Sequence, residues 1–220
     1  MDTLPILIKN VLFTGFDASD IPHLLSCLQP REASFHKDQI IINEGDVIED
    51  LGVVLKGSVN IVRNDFWGNR TLVSKIGVGD VFAEAMACAH QKSEVSVISC
   101  EESTILFLGV HKIITTCRRG CVFHHTIIEN MVRLLSQKNL GLMKKMNHIT
   151  KRSTKEKLLS YLSEEARKAG KRTFSIPYDR QQLADYLCVE RSAMSNELSK
   201  MKAQGLLDYS RNVFQLKEER

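Results

Sequence analysis

The spacing of apolar positions changes twice along this chain of 220 residues. Ile21, Leu24, Leu25 and Leu28 recur at helical intervals, with Asp17 or Ser19 placed to cap the helix they predict. From Ala33 onward the pattern turns to short runs rich in β-branched residues, at 39–42, 53–55, 59–62, 71–73, 95–98 and 104–108. Turn signals separate the runs: Asn43-Glu44-Gly45-Asp46, Lys56-Gly57-Ser58, Trp67-Gly68-Asn69 and Gly77-Val78-Gly79-Asp80. Glycines in such turns suit positive φ. Many short strands at near-regular intervals predict an antiparallel sandwich, jelly roll or barrel.

After Gly120 the period lengthens. From about residue 124 to 149 there is no proline and one glycine, Gly141. Ile128, Met131, Leu135, Leu142 and Ile149 make a heptad-like stripe, interrupted at Lys138 and Lys145. A helix of this length runs about 37 Å at 1.5 Å per residue, more than one small domain covers. Its economical partner is the same helix of a second subunit. A helix lying along its own β-domain is the alternative.

A hinge at 151–154 follows, with Ser153 or Thr154 to cap a helix over 155–168 that ends near Gly170. Its inward residues are Leu158, Leu159, Leu162 and Ala166. Asp179 can cap a short helix whose inward residues are Leu183, Ala184 and Leu187. A tight turn through Cys188 and Val189 leads to a second helix from near Glu190, buried on Ala193, Met194, Leu198 and Met201. Its outward face carries Arg191, Ser192, Ser195, Asn196 and Lys200, the short polar and cationic groups that base edges in a major groove require. Gly205 ends this helix, and 206–209 and 213–216 form a hairpin, the wing, across Ser210-Arg211-Asn212. The predicted class is α+β. A jelly-roll-like antiparallel β-domain (1–120), which the resemblance given below implies is a β-roll sensor, precedes a long dimerisation helix (121–150) and a winged helix-turn-helix (151–220).

Charge sharpens the picture. Residues 151–220 hold fifteen Lys and Arg against ten Asp and Glu, and residues 1–150 hold fifteen against sixteen. All the positive excess therefore lies with the helix-turn-helix, as nucleic-acid binding requires. No apolar run approaches the roughly 18 residues of a membrane span, and the start lacks the basic region of a signal peptide, so a cytoplasmic protein without membrane contact is expected. Its six cysteines, at 27, 88, 100, 117, 121 and 188, are then expected as thiols, and none has zinc-ribbon spacing.

Taken in order, several segments resemble the Crp–Fnr family of bacterial regulators. They are Leu12-Phe13-Thr14-Gly15-Phe16, Ile42-Asn43-Glu44-Gly45-Asp46, Leu55-Lys56-Gly57-Ser58-Val59, Gly79-Asp80-Val81-Phe82-Ala83-Glu84 and Arg180-Gln181-Gln182-Leu183-Ala184-Asp185-Tyr186-Leu187. The resemblance spans nearly the whole chain. It implies a cyclic-nucleotide-binding-like β-roll, a dimerisation helix and a winged reader of double-stranded DNA, with RNA polymerase as a protein partner. By position, Arg191 resembles the family's guanine-reading arginine. Ser192 stands where many members have glutamate, and Asn196 where many have arginine. Arg180 resembles a residue that steadies the phosphate backbone, with Gln181 beside it. Two such readers about one duplex turn apart, roughly 34 Å, would face a near-palindromic site.

The resemblance also places an effector pocket at Phe82, Ala83, Glu84, Ser93, Glu94 and Val95. Members that bind cyclic AMP have a Gly-Glu pair and then Arg-Ser/Thr. Here Ala83-Glu84 and Lys92-Ser93-Glu94 stand instead, so cyclic AMP is not expected and the small-molecule effector is unidentified. An iron–sulfur cluster needs more cysteines near the start than Cys27, and no haem ligand stands out, so no cofactor is expected. Cys117, Cys121 and His124 would share a helical face, with His125 adjacent. That makes a redox- or metal-responsive regulator the alternative to a ligand-controlled one, although small buried cysteines explain the same spacing. A cupin-like enzyme would need paired histidines and a carboxylate, whereas His36, His90 and His111 are isolated; no metal site and no catalysis are expected.

Overall fold

The computed structural model describes residues 3–64, 67, 70–115 and 122–217. The chain divides into two compact units, Met1–Ser136 and Gln137–Arg220, with the division inside the long helix.

The first unit opens with helices α1 (Leu4–Lys9) and α2 (Asp20–Leu28). Eight strands follow: β1 (Arg31–Phe35), β2 (Ile40–Ile42), β3 (Asp50–Lys56), β4 (Val59–Asn64), β5 (Arg70–Ile76), β6 (Val81–Phe82), β7 (Ser96–Ser99) and β8 (Ser103–Gly109). Helix α3 (Glu84–Ala89) lies between β6 and β7, and α4 (Val110–Ile114) follows β8. The strands form two antiparallel sheets, in the orders β1-β8-β3-β6 and β2-β7-β4-β5. The predicted class therefore holds: α+β, with an antiparallel β-roll first.

Two glycines set the packing of the roll. Gly57, at φ +76°, turns β3 into β4, and a Cβ there would lie 2.4 Å from Ser103 Oγ and 2.7 Å from the Glu102 carbonyl oxygen. Gly52 has no special φ, but its missing side chain makes room for the Phe82 ring, whose Cζ lies 2.3 Å from where a Cβ would stand. Phe82 is thereby fully buried in the core with Leu51, Ile105 and Leu108.

Helix α5 (Val122–Ile149) begins in the first unit. Its inner face there is Ile127, Met131 and Leu134, spaced i, i+4, i+7 and buried in the core of the roll. The Asn130 amide donates to the carbonyls of Leu12 (3.0 Å) and Thr14 (2.8 Å). This corrects one expectation: Met131 belongs to its own domain's core, because the roll claims the stripe that includes it. Ile128 and Leu135 are half-buried at the edge of that contact, while Leu142 is 62% exposed.

The second unit holds the end of α5, then α6 (Thr154–Ala169), β9 (Thr173–Ser175), α7 (Arg180–Leu187), α8 (Arg191–Ala203), β10 (Leu207–Ser210) and β11 (Val213–Leu216). Ser153 and Glu156 form a capping box at the start of α6, and Gly170 closes it at φ +62°. The three strands pair in the order β10-β11-β9. Leu158, Leu162, Phe174, Leu183, Leu198 and Phe214 are among the residues of its separate core.

The last turn of α5 is fastened to α6 through a buried histidine. His148 Nδ1 lies 2.8 Å from Ser160 Oγ and Nε2 lies 3.2 Å from Glu164 Oε2, with the ring edge-on to Tyr161. Burial pushes this imidazole below its usual range, against the pull of the Glu164 carboxylate; Lys168 adds to the lowering and Glu165 opposes it. Burial pushes Glu164 up, but Lys168, His148 and Lys144 together hold it below the usual carboxylate range. A histidine whose folded pKa is depressed contributes stability above its unfolded pKa, about 6.5, and loses it as pH falls below that. The Glu164 contribution goes later, below about pH 4.3. The C-terminal unit is therefore expected to melt at a lower temperature at pH 5.5 than at 7.5, and His148→Gln to flatten that dependence. An unchanged pH dependence in the variant would show that His148 is not the group responsible.

Candidate nucleic-acid interface

The helix-turn-helix is set by its caps. Asp179 Oδ1 accepts from the Gln182 N–H (2.8 Å) and Gln182 Oε1 accepts from the Asp179 N–H (2.9 Å), so α7 starts on a reciprocal box. Cys188 ends it in the left-handed conformation at φ +51°, which turns the chain toward α8. The Lys157 ammonium of α6 donates to the carbonyls of Leu187 (3.3 Å) and Cys188 (3.4 Å), neutralising the negative end of α7 and tying α6 to the turn.

Helix α8 buries Met194, Leu198 and Met201. Ala193, expected inward, is exposed, since it sits about 100° around the helix from Met194. The opposite face presents Ser192, Asn196 and Lys200 as exposed side chains; Arg191, seven residues before Leu198 and so on the side of the buried stripe, is exposed at the first turn of the helix, and Ser195 is half-buried. The expected residues of this helix are thus divided between its exposed first turn, with Arg191, and its outward face, with Ser192, Asn196 and Lys200.

One residue on this surface was not among the expected contacts. Glu190 caps α8, its carboxylate accepting from the Ala193 N–H (2.7 Å) and from the Ser192 hydroxyl. The Ser192 hydroxyl and backbone and the Ala193 N–H hold the carboxyl below its usual range, so it is an anion at neutral pH. Ser192 is thus engaged at the cap, and a negative charge stands beside Arg191 at the leading end of the helix. The signal was in the sequence, because an acidic residue before a helical run is a capping candidate.

Arg180 is half-buried, with its guanidinium carbon 4.7 Å from the ring centre of Tyr209 and 5.0 Å from that of Phe214. It packs the start of α7 onto the wing as a cation–π contact. Gln181 Nε2 donates to Asp185 Oδ1 (2.8 Å) along its own helix. The wing, β10 and β11, turns through Arg211 (φ +51°) and Asn212. It carries a third strand, β9, that the pattern of apolar residues did not reveal. A cleft of mixed polarity between this turn and the start of α7 is lined by Pro177 and Tyr178 together with Asp179, Arg180, Gln182, Arg211 and Asn212.

Two family descriptions match the sequence: the cyclic nucleotide-binding domain over residues 32–119 and the Crp-like helix-turn-helix domain over residues 156–220. The chain belongs to the Crp–Fnr family of transcription regulators. It is 24% identical over 131 residues to the cyclic AMP receptor protein of Thermus thermophilus, and the match spans 60% of this chain and 60% of that protein's length. Among solved structures it is similar to the c-di-GMP responsive global regulator CLP of Xanthomonas campestris, at 17% identity and a TM-score of 0.58, covering 92% of this chain and 100% of that one. FixK2 of Bradyrhizobium japonicum is similar at 18% identity and a TM-score of 0.51, covering 86% and 93%. At these identities the structural likeness establishes the fold.

In this Crp–Fnr chain the residues expected to line an effector pocket are distributed unevenly. Phe82, Ala83, Glu84 and Ser93 are buried, Val95 is half-buried and Glu94 is exposed, 3.8 Å from Arg63. The Ser93 hydroxyl donates to the Val95 carbonyl at 2.6 Å. Ala83 stands left-handed at φ +64° at the head of α3, a conformation that places its backbone as a glycine's would be, with a methyl added. Phe82 is core packing over Gly52 rather than a wall facing a ligand. Among the described residues no group of three or more His, Cys, Asp or Glu side chains could hold a metal ion. Cys117 and Cys121 lie outside the described residues; His124 is buried and His125 lies 3.6 Å from Glu129. No helix among the described residues is long and apolar enough to cross a membrane.

Proposed function

We propose that this chain is a sequence-specific DNA-binding regulator that acts as a homodimer on a near-palindromic operator, with its output set by an effector acting on the β-roll. The observation that carries the reading is the exposed reading face of α8. Asn196 and Lys200 project from the side of the helix opposite Met194, Leu198 and Met201, and Arg191 projects from its exposed first turn. An arginine there can bond bidentate to guanine O6 and N7, and an amide to adenine N6 and N7. The basic excess of residues 151–220 supplies the phosphate attraction that positions the reader. RNA polymerase is the protein partner this reading implies.

The pocket chemistry argues against cyclic AMP as the effector. Lys92 is a point charge without the fork of an arginine, Glu94 presents a carboxylate, and the methyl of Ala83 obstructs backbone approach.

The test is selection of the purified full chain, under reducing conditions, against a random duplex library. Enrichment of a palindrome is expected, with affinity falling steeply as salt rises. No binding even at low salt would overturn the reading, and enrichment of a single half-site would remove the dimer from it.

A further inference from the structure

The first half of α5 is claimed on one side by the β-roll, and this uncovers a second stripe. Val132, Leu135, Asn139, Leu142, Met146 and Ile149 are spaced 3, 4, 3, 4 and 3 residues apart, the strict alternation of a coiled-coil seam. Val132, Leu142 and Met146 are 58%, 62% and 58% exposed, and Asn139 is exposed too. Apolar groups of this size at regular spacing in water require a partner. The seam differs from the one expected by periodicity, in which Met131, Lys138 and Lys145 held the alternate positions.

In heptad order Val132, Asn139 and Met146 are a positions, and Leu135, Leu142 and Ile149 are d positions. One polar residue therefore stands in the middle of an otherwise apolar seam. In a parallel, in-register pair the two Asn139 side chains face each other, and each amide can donate to the other's carbonyl. In an antiparallel pair an a residue faces a d residue, so each amide would be buried against a leucine with its hydrogen bonds unmade. A one-heptad slip sets it against valine or methionine at the same cost. The flanking Lys138 and Lys145 add to this, since an antiparallel pair brings the lysines of the two chains together. The charges and the amide thus select one occupant and one orientation.

We propose that Asn139 is the orientation and register lock of the homodimer. It weakens the seam but admits only the parallel, in-register pairing with a second copy of this chain. The proposal rests on the dimer reading above and adds the residue that gives the dimer its geometry.

The test uses the full chain carrying Leu142→Cys, with and without Asn139→Leu. Asn139 is exposed in the single chain, so the substitution leaves the fold of each subunit intact, which circular dichroism checks. With Asn139 present, mild oxidation is expected to link position 142 to position 142 of the partner in most molecules, as peptide mapping would show. With Asn139→Leu, sedimentation is expected to show association tighter by roughly tenfold or more, while the 142–142 product falls and other pairings or larger oligomers appear. Equal 142–142 yields in the two backgrounds, or weaker association of the leucine variant, would overturn the lock while leaving the dimer standing. A monomeric parent chain would overturn the dimer reading and the lock with it.

Discussion

Replacing Arg191 with alanine is expected to weaken binding to the selected operator by roughly five- to 150-fold per half-site, which is about 1–3 kcal/mol. Binding to random duplex is expected to change little. The side chain is exposed and makes no core contact, so the fold should be unaffected within about 0.5 kcal/mol. In the proposed dimer both subunits would lose the contact, and losses at separated half-sites add, so a full palindrome would show about twice the free-energy change of one half-site. Arg191→Lys separates geometry from charge. A lysine keeps the positive charge and the salt dependence but cannot bond bidentate, so most of the discrimination should be lost. Titrations of the operator and of a scrambled duplex at two salt concentrations measure both quantities. Equal losses on the two duplexes would mean that Arg191 touches only phosphate.

The second large effect concerns the core. Gly52→Val places a branched side chain where the Phe82 ring already stands, 2.3 to 2.9 Å from three of its atoms. Phe82 is 1% exposed, so the ring has no vacant space to enter. Overpacking of this kind costs about 1–3 kcal/mol or more, a large share of the roughly 5–15 kcal/mol that holds a domain folded. The thermal transition of the N-terminal unit is expected to drop by several degrees, while that of the C-terminal unit stays in place. Phe82→Ala is also expected to destabilise, by about 3–5 kcal/mol, through the cavity it leaves. The double variant should lose less than the sum, because each change relieves the other. Strict additivity would show that the two positions do not share space in the folded protein.

Much of this architecture was legible because the local signals agreed. Six of the eight roll strands announced themselves as β-branched runs between turns, and Gly45, Gly57 and Gly79 do take positive φ. The helix-turn-helix was legible from Asp179, from the inward triplet Leu183, Ala184 and Leu187, and from Gly205, which sits at φ +75° just past the end of α8. Two strands of the roll escaped for opposite reasons. The first, β1, is an edge strand reading Arg-Glu-Ala-Ser-Phe and mostly facing water, and β6 is two residues long. Strand β9 is three residues long, and only its pairing with β11 makes it a strand.

The long helix was read correctly as an element, but Met131 was assigned to the wrong neighbour. Ile128, Met131 and Leu135 lie close enough around the axis for several stripes to fit the sequence. Only the tertiary contact shows that Ile127, Met131 and Leu134 face the roll. The packing of Arg180 was hidden for a similar reason. A cation at the start of α7 is compatible with phosphate or with an aromatic shelf, and the shelf is formed by Tyr209 and Phe214, which lie far along the chain.

The carboxylate that caps α8 bears on how a regulator finds its operator among a vast excess of other sequences. A protein searching DNA is held to any duplex by phosphate attraction, and the time it spends there is time taken from the search. Glu190 places a negative charge at the leading end of α8, the helix proposed to read bases. Its oxygens already accept from the Ala193 N–H and the Ser192 hydroxyl, and in the proposed complex its charge would repel a nearby phosphate at any register. On the proposed reading, the chain would therefore sit lightly on sequences that lack its site, and its dwell time would be governed by the bases that Arg191 meets; the ratio of the two dwell times, rather than the tightness of either, would decide how many copies a cell needs to keep one operator occupied.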